Sequence, residues 1–330
     1  MAMKLSIIVP VYNRPDEVRE LLESLRAQRE VDYELIIVED GSERTCKQEV
    51  ELMRPNLKHI IYMAIPNAGP SGARNFGSRA ATGDYLIFLD SDVTLPEGYL
   101  KEVEHGICLD GLDAFGGPDA ASKDFTPMQQ AINYAMTSPL TTGGIRGGRA
   151  SGMEQFKPRS FNLGCRRSLF QRLGGFDEGM RFGEDIDFSL RLIASGARVG
   201  LIPKAFVYHK RRVDLGKFFK QVHNSGIARI HIETRHPGST RLVHWLPALF
   251  TLLSALCILS GLGSTLLLLL GIILFFHALG SGLEPRVAGL AVVASFVQLW
   301  GYGTGFIRAW WGKHVMKEGE FTAFKDNFYQ

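Results

Sequence analysis

Two carboxylates, Asp90 and Asp92, end an apolar run in the segment YLIFLDSDVTLP. A hydrophobic strand that stops abruptly at two acidic residues predicts a carboxylate pair at the edge of a sheet. Such oxygen ligands suit a hard divalent cation, which could bridge the phosphates of a nucleotide. The pattern is weak by itself, because Asp-x-Asp also occurs in turns and helix caps.

Polar residues also follow the other predicted strands. Asn13 and Arg14 come after the first strand, and Glu39 and Asp40 end the second. Parallel sheets bind ligands at the carboxyl ends of their strands. These residues and the acidic pair are therefore predicted to converge on one crevice.

The segment GEDIDFSLRL predicts a helix that begins with acidic residues. Glu184 and Asp185 stand where a helix N-terminus favours negative charge, so simple capping would explain them. Asp187 lies four residues before Arg191, the spacing of a helical ion pair.

A histidine and a basic cluster follow a later strand-like run. His209 could be structural or a ligand. Lys210, Arg211 and Arg212 could hold a diphosphate, contact anionic lipid headgroups, or form a solvated charge run.

The elements that must position these residues begin with alternating strands and helices. Runs rich in Ile and Val, such as KLSIIVP and YELIIVED, alternate with amphipathic segments, giving about four strands in the first 90 residues. This order predicts an α/β fold with a mostly parallel sheet and helices on both faces. A helix at 184–195 and a strand at 198–202 are predicted further along.

The C-terminal third has a different composition. Residues 242–311 are almost uncharged, and segments near 243–261, 263–281 and 287–311 each approach the length that spans a bilayer. They predict two or three membrane helices, although a buried hairpin would be the soluble alternative. The preceding segment, 213–233, has one apolar helical face and predicts either a membrane-surface helix or a helix packed on the catalytic domain.

The predicted organisation has four parts: a catalytic domain at 1–212, an amphipathic helix and linker at 213–241, membrane helices at 242–311, and a tail at 312–330.

The formal net charge of +3 gives no support for nucleic-acid binding. The four cysteines form no C-x-x-C pair, which argues against a zinc site and fits a reducing cytosol. Basic residues flank both ends of the apolar region and favour the cytoplasmic side for both. Three full spans would place the two ends on opposite sides. Either one segment is therefore re-entrant or the last helix lies at the interface, and the side of the C-terminus stays open.

Seven motifs stand in one order along residues 4–210. They are SIIVPVYNR, IIVEDGS, NAGPSGARNFG, FLDSD, FNLGCRRSLFQRLGGFDE, GEDIDFSLRL and VYHK. In this set the chain resembles the family-two glycosyltransferases of the GT-A fold, as found in bacterial exopolysaccharide and O-antigen synthesis. No Gln-x-x-Arg-Trp sequence follows the acidic helix, which favours single transfer over polymer extrusion.

The resemblance implies a nucleotide site at the first strands. Asp40 would contact the base, and Pro10, Tyr12 and Arg14 would line the base pocket. Arg74 would lie beside the base and phosphates, although a surface salt bridge on its helix would explain it equally well. Glu39, where relatives often have Asp, is assigned no direct contact.

The resemblance also implies the catalytic groups. Asp92 would be the principal metal ligand, Asp90 would lie near the ribose or the metal, and His209 would add an imidazole ligand for Mn²⁺ or Mg²⁺. Asp185 would be the general base in a single displacement that inverts the anomeric carbon, and Glu184 would contact the acceptor or the diphosphate.

The expected function is therefore transfer of a sugar from a nucleotide-sugar donor, expected to be a UDP-sugar, to a lipid-linked acceptor. The protein would be a multi-pass protein of the inner membrane, with its catalytic domain facing the cytoplasm. Membrane lipids would be further partners. Transfer to polyprenyl phosphate or to a glycolipid is the nearest alternative. A non-catalytic membrane scaffold that keeps a nucleotide-sugar fold is the alternative of another class, and a nucleotidyltransferase would leave the membrane helices unexplained.

Overall fold

A computed structural model describes residues 3–57, 59–120, 125–142, 156–210, 214–260 and 263–319 of the chain. These residues form two compact units. The first unit contains 3–120 and 156–210, and the second contains 125–142 and the described residues from 214 to 319.

The strands of the first unit are β1 (Leu5–Val11), β2 (Tyr33–Asp40), β3 (Ile60–Ile65), β4 (Tyr85–Leu89), β5 (Val93–Thr94), β6 (Ala114–Gly116), β7 (Asp119–Ala120), β8 (Asn162–Arg166), β9 (Val199–Leu201) and β10 (Val207–His209). Seven of them form a sheet in the order β3-β2-β1-β4-β8-β6-β9. The first four strands are parallel, whereas β8 runs antiparallel to both of its neighbours. The predicted mostly parallel sheet is confirmed.

Six helices cover this sheet: α1 (Pro15–Arg26), α2 (Lys47–Met53), α3 (Gly69–Ala80), α4 (Tyr99–Asp110), α7 (Arg167–Arg172) and α8 (Glu184–Ala194). Side chains alternate along a strand, so each face of β1 needs its own cover. Ile7 and Val9 join one buried cluster with Leu21 of α1, while Ile8 joins a second cluster with Ala73 of α3. Helices therefore lie on both faces, as predicted.

Helix α3 approaches the sheet closely because it carries a glycine at the contact. A Cβ on Gly77 would lie 2.7 Å from Ile8 Cγ2 and 3.0 Å from Val38 Cγ2. Helix α3 thereby packs directly against β1 and β2.

A second, three-stranded sheet has the order β5-β10-β7. In it β10 pairs antiparallel with β5, so that His209 is the backbone partner of Val93. This pairing joins the segment after β4 to a segment more than a hundred residues later in the chain.

The second unit is helical. It consists of α5 (Pro127–Thr137), α6 (Pro139–Thr142), α9 (Leu215–Arg235), α10 (Leu242–Ser260), α11 (Gly263–Gly280) and α12 (Pro285–Trp311), followed by a π-helical turn at Gly312–Met316. Its core contains Ala131 and Ile132 of α5, Phe218 and Val222 of α9, and three alanines of α12, Ala288, Ala291 and Ala294.

The two units divide the chain differently from the predicted boundary at residue 212. Residues 125–142 fall inside that predicted catalytic domain, yet they belong to the helical unit. The physical reason is the apolar face of α5, which is buried with α9 and α12.

Within the described part of the chain, one helical segment, Pro285–Met316, is long and apolar enough to cross a membrane, and half of its most apolar stretch is buried by protein. Two shorter apolar helices span Leu242–Ile258 and Ser264–Gly280. The sequence predicted two or three membrane helices, and apolar helices form in all three predicted regions; among the described residues, α12 is the longest of them.

Candidate active site

Asp90, Asp92 and His209 come together at the end of β4. The pairing of β10 with β5 brings His209 beside the acidic pair, and the backbone N–H of Lys210 donates to the carbonyl oxygen of Asp92 at 3.2 Å. The His209 Nε2 atom lies 3.2 Å from Asp92 Oδ1. One ligand atom from each of the three side chains lies within 4.8 Å of the others. Two carboxylates and an imidazole at this spacing fit a divalent cation such as Mn²⁺ or Mg²⁺.

Each carboxylate of the pair also contacts an arginine. Arg14 Nη1 lies 2.6 Å from Asp92 Oδ2, and Arg74 Nη2 lies 2.7 Å from Asp90 Oδ1. Burial opposes the charge on Arg14, but the charge and hydrogen bond of Asp92, together with the charges of Glu17 and Asp90, outweigh it and raise the pKa of the guanidinium. The two arginines offset the negative charge of the pair and fix the direction of its carboxylates.

Arg74 links the acidic pair to the acidic helix α8. Its side chain is only 4 % exposed, and its Nη1 atom lies 3.2 Å from Glu184 Oε1. The guanidinium carbon lies 5.5 Å from the centre of the Phe176 ring. Arg74 therefore does not form the surface salt bridge weighed as one alternative, because both of its carboxylate partners belong to the candidate site.

Asp185 lies in the first turn of α8, which begins after Gly183 at a φ of 84°. Its Oδ2 atom lies 2.6 Å from Nε of Arg159, and its Oδ1 atom accepts a hydrogen bond from the backbone N–H of Ile186 at 2.8 Å. Burial alone would raise the pKa of Asp185, but the charge and hydrogen bond of Arg159 hold it below the ordinary aspartate value. Asp185 is thus ionised at neutral pH.

The pKa of the neighbouring residue, Glu184, is shifted in the opposite direction. Burial and the negative charge of Asp185 raise its pKa, against the opposing charge of Arg74. The two adjacent carboxyl groups are therefore held in different electrostatic environments. Asp187, by contrast, forms the predicted ion pair with Arg191, with 2.7 Å between Oδ2 and Nη2.

Asp40 lies at the carboxyl end of β2, fully buried. Its Oδ1 atom accepts from the backbone N–H of Ala68 at 2.6 Å, and its carbonyl oxygen accepts from the Asn67 amide at 2.9 Å. Asp40 therefore fixes the loop before α3. Glu39 accepts from the Cys46 N–H at 2.8 Å and from the Tyr62 hydroxyl at 3.2 Å, which is a structural role in keeping with the absence of an assigned contact.

The loop after β1 holds the other predicted base-pocket residues. Pro10 is buried in β1 opposite Val38, Tyr12 is partly buried just after the strand, and Arg14 precedes α1. Asn13, between Tyr12 and Arg14, has a φ of 55°.

Asn13 also ties this loop to the one after β2. Its side-chain oxygen accepts from the backbone N–H groups of Glu43 and Arg44 at 2.9 Å each, while its own N–H donates to the Ser42 hydroxyl at 2.8 Å. Sequence reasoning noticed Asn13 only as a polar residue at a strand end.

The ammonium group of Lys210 forms an ion pair with a carboxylate of α1. The Nζ atom lies 2.8 Å from the Glu20 carboxylate on α1, and both side chains are about half exposed. Arg211 and Arg212 lie outside the described residues. The contact of this basic cluster with a diphosphate stays a prediction.

Arg159 was missed by sequence reasoning altogether. It lies in the loop segment FKPRSFN, before β8, and meets Asp185 26 residues later in the chain. No periodicity or motif marks it.

Comparison with known proteins identifies relatives. The family model described as Glycosyl transferase family 2 matches residues 6–182. The pre-mycofactocin glycosyltransferase of Mycobacterium tuberculosis is 33 % identical over 236 residues, covering 71 % of this chain and 48 % of that protein. The uncharacterized glycosyltransferase EpsJ of Bacillus subtilis is 30 % identical over 210 residues, covering 62 % of this chain and 60 % of EpsJ. The chain thus matches only about half to three fifths of these two relatives.

A third relative and two solved structures extend the comparison. The succinoglycan biosynthesis protein ExoA of Rhizobium meliloti is 23 % identical over 244 residues, covering 73 % of each chain. The mannosyltransferase PcManGT of Pyrobaculum calidifontis, solved with GDP-Man and Mn²⁺, has a TM-score of 0.60 at 17 % identity, covering 96 % of this chain and 89 % of that one. S. aureus TarS 1–349 with UDP-GlcNAc has a TM-score of 0.50 at 20 % identity, covering 95 % and 93 %. These likenesses confirm the predicted GT-A fold.

Proposed function

The chain belongs to the family 2 glycosyltransferases, and on this premise we propose that it transfers a sugar, with inversion, from a nucleotide diphosphate donor to a lipid-linked acceptor. The observation that carries the proposal is the cluster of Asp90, Asp92 and His209, joined through Arg74 to the acidic start of α8.

The cluster has the donor atoms that a divalent cation needs. Asp92 and His209 would be its principal ligands, with Asp90 either a ligand or a contact to the donor ribose. A bound Mn²⁺ or Mg²⁺ would neutralise the charge that grows on the leaving diphosphate. The Mn²⁺ in the structure of the mannosyltransferase PcManGT is consistent with this cofactor class.

Asp185 would be the general base. Its ionised carboxylate would accept the proton of the acceptor hydroxyl as that oxygen bonds to the anomeric carbon, while the bond from this carbon to the diphosphate oxygen breaks. Attack from the face opposite the leaving group inverts the configuration. Glu184, next to the base, would contact the acceptor.

Donor binding is assigned to the carboxyl ends of β1 and β2. Asp40 would contact the base, with Pro10, Tyr12 and Arg14 lining its pocket, and UDP is the expected nucleotide. Arg74 would act beside the diphosphate. The basic residues Lys210, Arg211 and Arg212 would bind the donor diphosphate or the pyrophosphate of a lipid carrier.

The lipid-linked acceptor is inferred from the helical unit. Large apolar side chains of α10 and α11 are exposed, including Leu246, Leu256, Leu268 and Phe276, at 57 to 65 %. A continuous apolar surface of this kind needs lipid or protein to cover it. The named role of ExoA in succinoglycan biosynthesis supports an acceptor in surface polysaccharide synthesis, made at the cytoplasmic face of the inner membrane.

The test is a transfer assay on the purified full chain. UDP- and GDP-sugars would be supplied with polyprenyl-pyrophosphate-linked saccharide, polyprenyl phosphate or glycolipid, in Mn²⁺ or in EDTA. We expect transfer in Mn²⁺ only, lost in Asp92→Ala and kept in Asp16→Ala, which removes an exposed carboxylate of α1. If the unmodified chain and Asp92→Ala are equally inert toward every donor while both bind a partner protein, the chain is a scaffold and the proposal fails.

A further inference from the structure

Helix α9 packs along the C-terminal half of α12 through glycines. A Cβ on Gly301 would lie 2.4 Å from Val222 Cγ2, and one on Gly305 would lie 2.0 Å from the carbonyl oxygen of His223. Further along, the Lys313 ammonium donates to the Thr234 hydroxyl. Because residue numbers rise together in both helices, α9 and α12 run parallel.

Helix α9, which packs on this side of α12, is rich in charged residues. Helix α9 carries Lys217, Lys220, Arg229, Glu233 and Arg235, and the Lys217 side chain is 69 % exposed. Helix α5 shares a buried cluster with the N-terminal half of α12 and carries two glutamines and an asparagine. Helices that carry polar or charged side chains therefore accompany both halves of α12.

Helix α10 packs on the opposite side of α12. A Cβ on Gly303 would lie 2.3 Å from the carbonyl oxygen of Pro247. Gly303 is two residues from both Gly301 and Gly305, about 200° around the helix from each. The Trp245 ring lies 4.7 Å from the Phe306 ring, and α10 is antiparallel to α12.

Helix α11 packs on the N-terminal half of α12. A Cβ on Gly271 would lie 3.6 Å from Val292, and Ala278 shares a cluster with Ala288. The contacts of α10 with α12 extend from Trp245 to Ser254, whose hydroxyl accepts from the Trp300 indole at 2.9 Å, and those of α11 involve Gly271 near its middle.

The adjoining ends of α10 and α11 are exposed and apolar. Leu256 and Ile258 are 63 % and 59 % exposed, and Leu266 and Leu268 are 58 % and 64 % exposed. The two helices contain no Asp, Glu, Lys or Arg. With 19 and 18 residues, each is about 27 Å long, close to the thickness of the hydrocarbon core.

From this arrangement we propose that α10 and α11 are the hairpin inserted in the membrane, while α12 lies along the membrane surface and does not cross it. The partner is bilayer hydrocarbon, which covers the exposed leucines of the hairpin. If α12 crossed the bilayer, the cations of α9 beside it would be drawn into hydrocarbon, which is costly. In-plane packing keeps α9 at the headgroups and the hairpin in the apolar layer.

The proposal extends the proposed function, on which its membrane setting rests, by specifying how the chain meets the lipid. Length and composition alone would make α12 the membrane-spanning helix. The proposal instead places α10 and α11 in the membrane and α12 at its surface. Both ends of α12 then lie on the same side as α9.

The test is cysteine labelling of the full chain in sealed vesicles of both orientations. The background carries Cys108→Ser and Cys257→Ser, while Cys46 and Cys165 are buried and stay. Single cysteines at Ser281→Cys and Met316→Cys report the two ends of α12, and Lys217→Cys reports α9. We expect all three to react with an impermeant maleimide from the same side. Reaction of the first two from opposite sides, or of either only after detergent is added, would overturn the proposal.

A depth measurement with spin labels makes the second test. Leu256→Cys reports the hairpin, and Val293→Cys, at an α12 residue that is 47 % exposed, is the matched position. We expect collision with oxygen, relative to a polar nickel chelate, to be higher at Leu256. A deeper label at Val293 would contradict the proposal. Neither test measures sugar transfer, so the topology can fail while transfer stands, and transfer can fail while the topology stands.

Discussion

Arg159 and Asp185 form a hydrogen-bonded ion pair, with 2.6 Å between Nε and Oδ2. The charge of Arg159 lowers the proton affinity of Asp185, the proposed base, and so keeps it ionised. Because 39 % of the Arg159 side chain is exposed, an acceptor that enters the site can meet this guanidinium. The strength of the base is therefore set by a residue from a loop outside α8.

Replacing Arg159 should move the pH dependence of transfer. Asp185 has a lowered pKa and must be ionised to accept a proton, so activity falls as the pH drops through that pKa. Arg159→Met removes the opposing charge and leaves burial, so the pKa rises and the acid limb of kcat/KM shifts to higher pH. Arg159→Lys keeps the charge and should shift it less.

The matched control is Arg166→Met, which removes an arginine paired at 2.9 Å with the half-exposed Asp113. Its acid limb should coincide with that of the unmodified chain. An acid limb that also stays in place in Arg159→Met would mean that Arg159 does not set the pKa of the base.

Removing the base itself should affect turnover more than donor binding. In Asp185→Asn we expect transfer to fall by about 10²–10⁴-fold, the range for a general base. The affinity for nucleotide diphosphate, measured by calorimetry, should change little because the donor is assigned to the strand ends. Asp187→Asn, two residues further along α8, should instead lower stability through its ion pair with Arg191. A similar loss of donor affinity in Asp185→Asn would count against the assigned role.

Arg74 should be important for stability as well as for activity. It is buried between Asp90 and Glu184, so Arg74→Met leaves two carboxylates without their counter-charge. Breaking a buried pair in this way costs about 3–5 kcal/mol. Urea unfolding should show this loss, whereas Arg79→Met, an exposed arginine of the same helix, should change the free energy of unfolding little. Equal stability of the two variants would show that Arg74 does not hold the carboxylates in place.

Local sequence patterns predicted those parts of the fold that depend on neighbouring residues. The apolar run before Asp90 predicted β4, and the spacing of Asp187 and Arg191 predicted their ion pair. The approach of His209 to Asp92 depends on antiparallel pairing of β10 with β5, and only the resemblance to a family indicated it. Spacing alone could not, since the two residues are far apart in the chain.

The remaining features are set by tertiary packing. Arg159 meets Asp185 only because the loop before β8 returns to the start of α8. Likewise α5 joins the helical unit because its apolar face is buried with α12, although its position in the sequence lies within the predicted catalytic domain. Amphipathic patterns show that a face will be buried, but they do not identify its partner.

The close approach of α3 to the sheet predicts a steric effect. Gly77→Ala places a methyl group 2.7 Å from Ile8 Cγ2 and 3.0 Å from Val38 Cγ2. Overpacking of this kind costs about 1–3 kcal/mol, which should appear as a lower urea midpoint with an unchanged slope. Combining it with Ile8→Leu, which has no branch at Cβ and so lacks the contacted methyl group, should recover part of the loss if the contact with Ile8 is the cause. A midpoint equal to that of the unmodified chain would mean that α3 adjusts freely.

The acidic cluster predicts a specific loss of metal binding. Asp92→Asn removes the charge of the principal ligand but keeps its shape, so Mn²⁺ affinity in the presence of nucleotide diphosphate should fall. Transfer should fall on the order of 10²–10³-fold, as for loss of an electrostatic stabiliser of the leaving group. His209→Ala should weaken Mn²⁺ less, because a neutral ligand is lost. Asp16→Asn, an exposed carboxylate of α1, is the control. Calorimetric titration of Mn²⁺ into each variant measures the effect, and undiminished affinity in both Asp92→Asn and His209→Ala would locate the metal elsewhere.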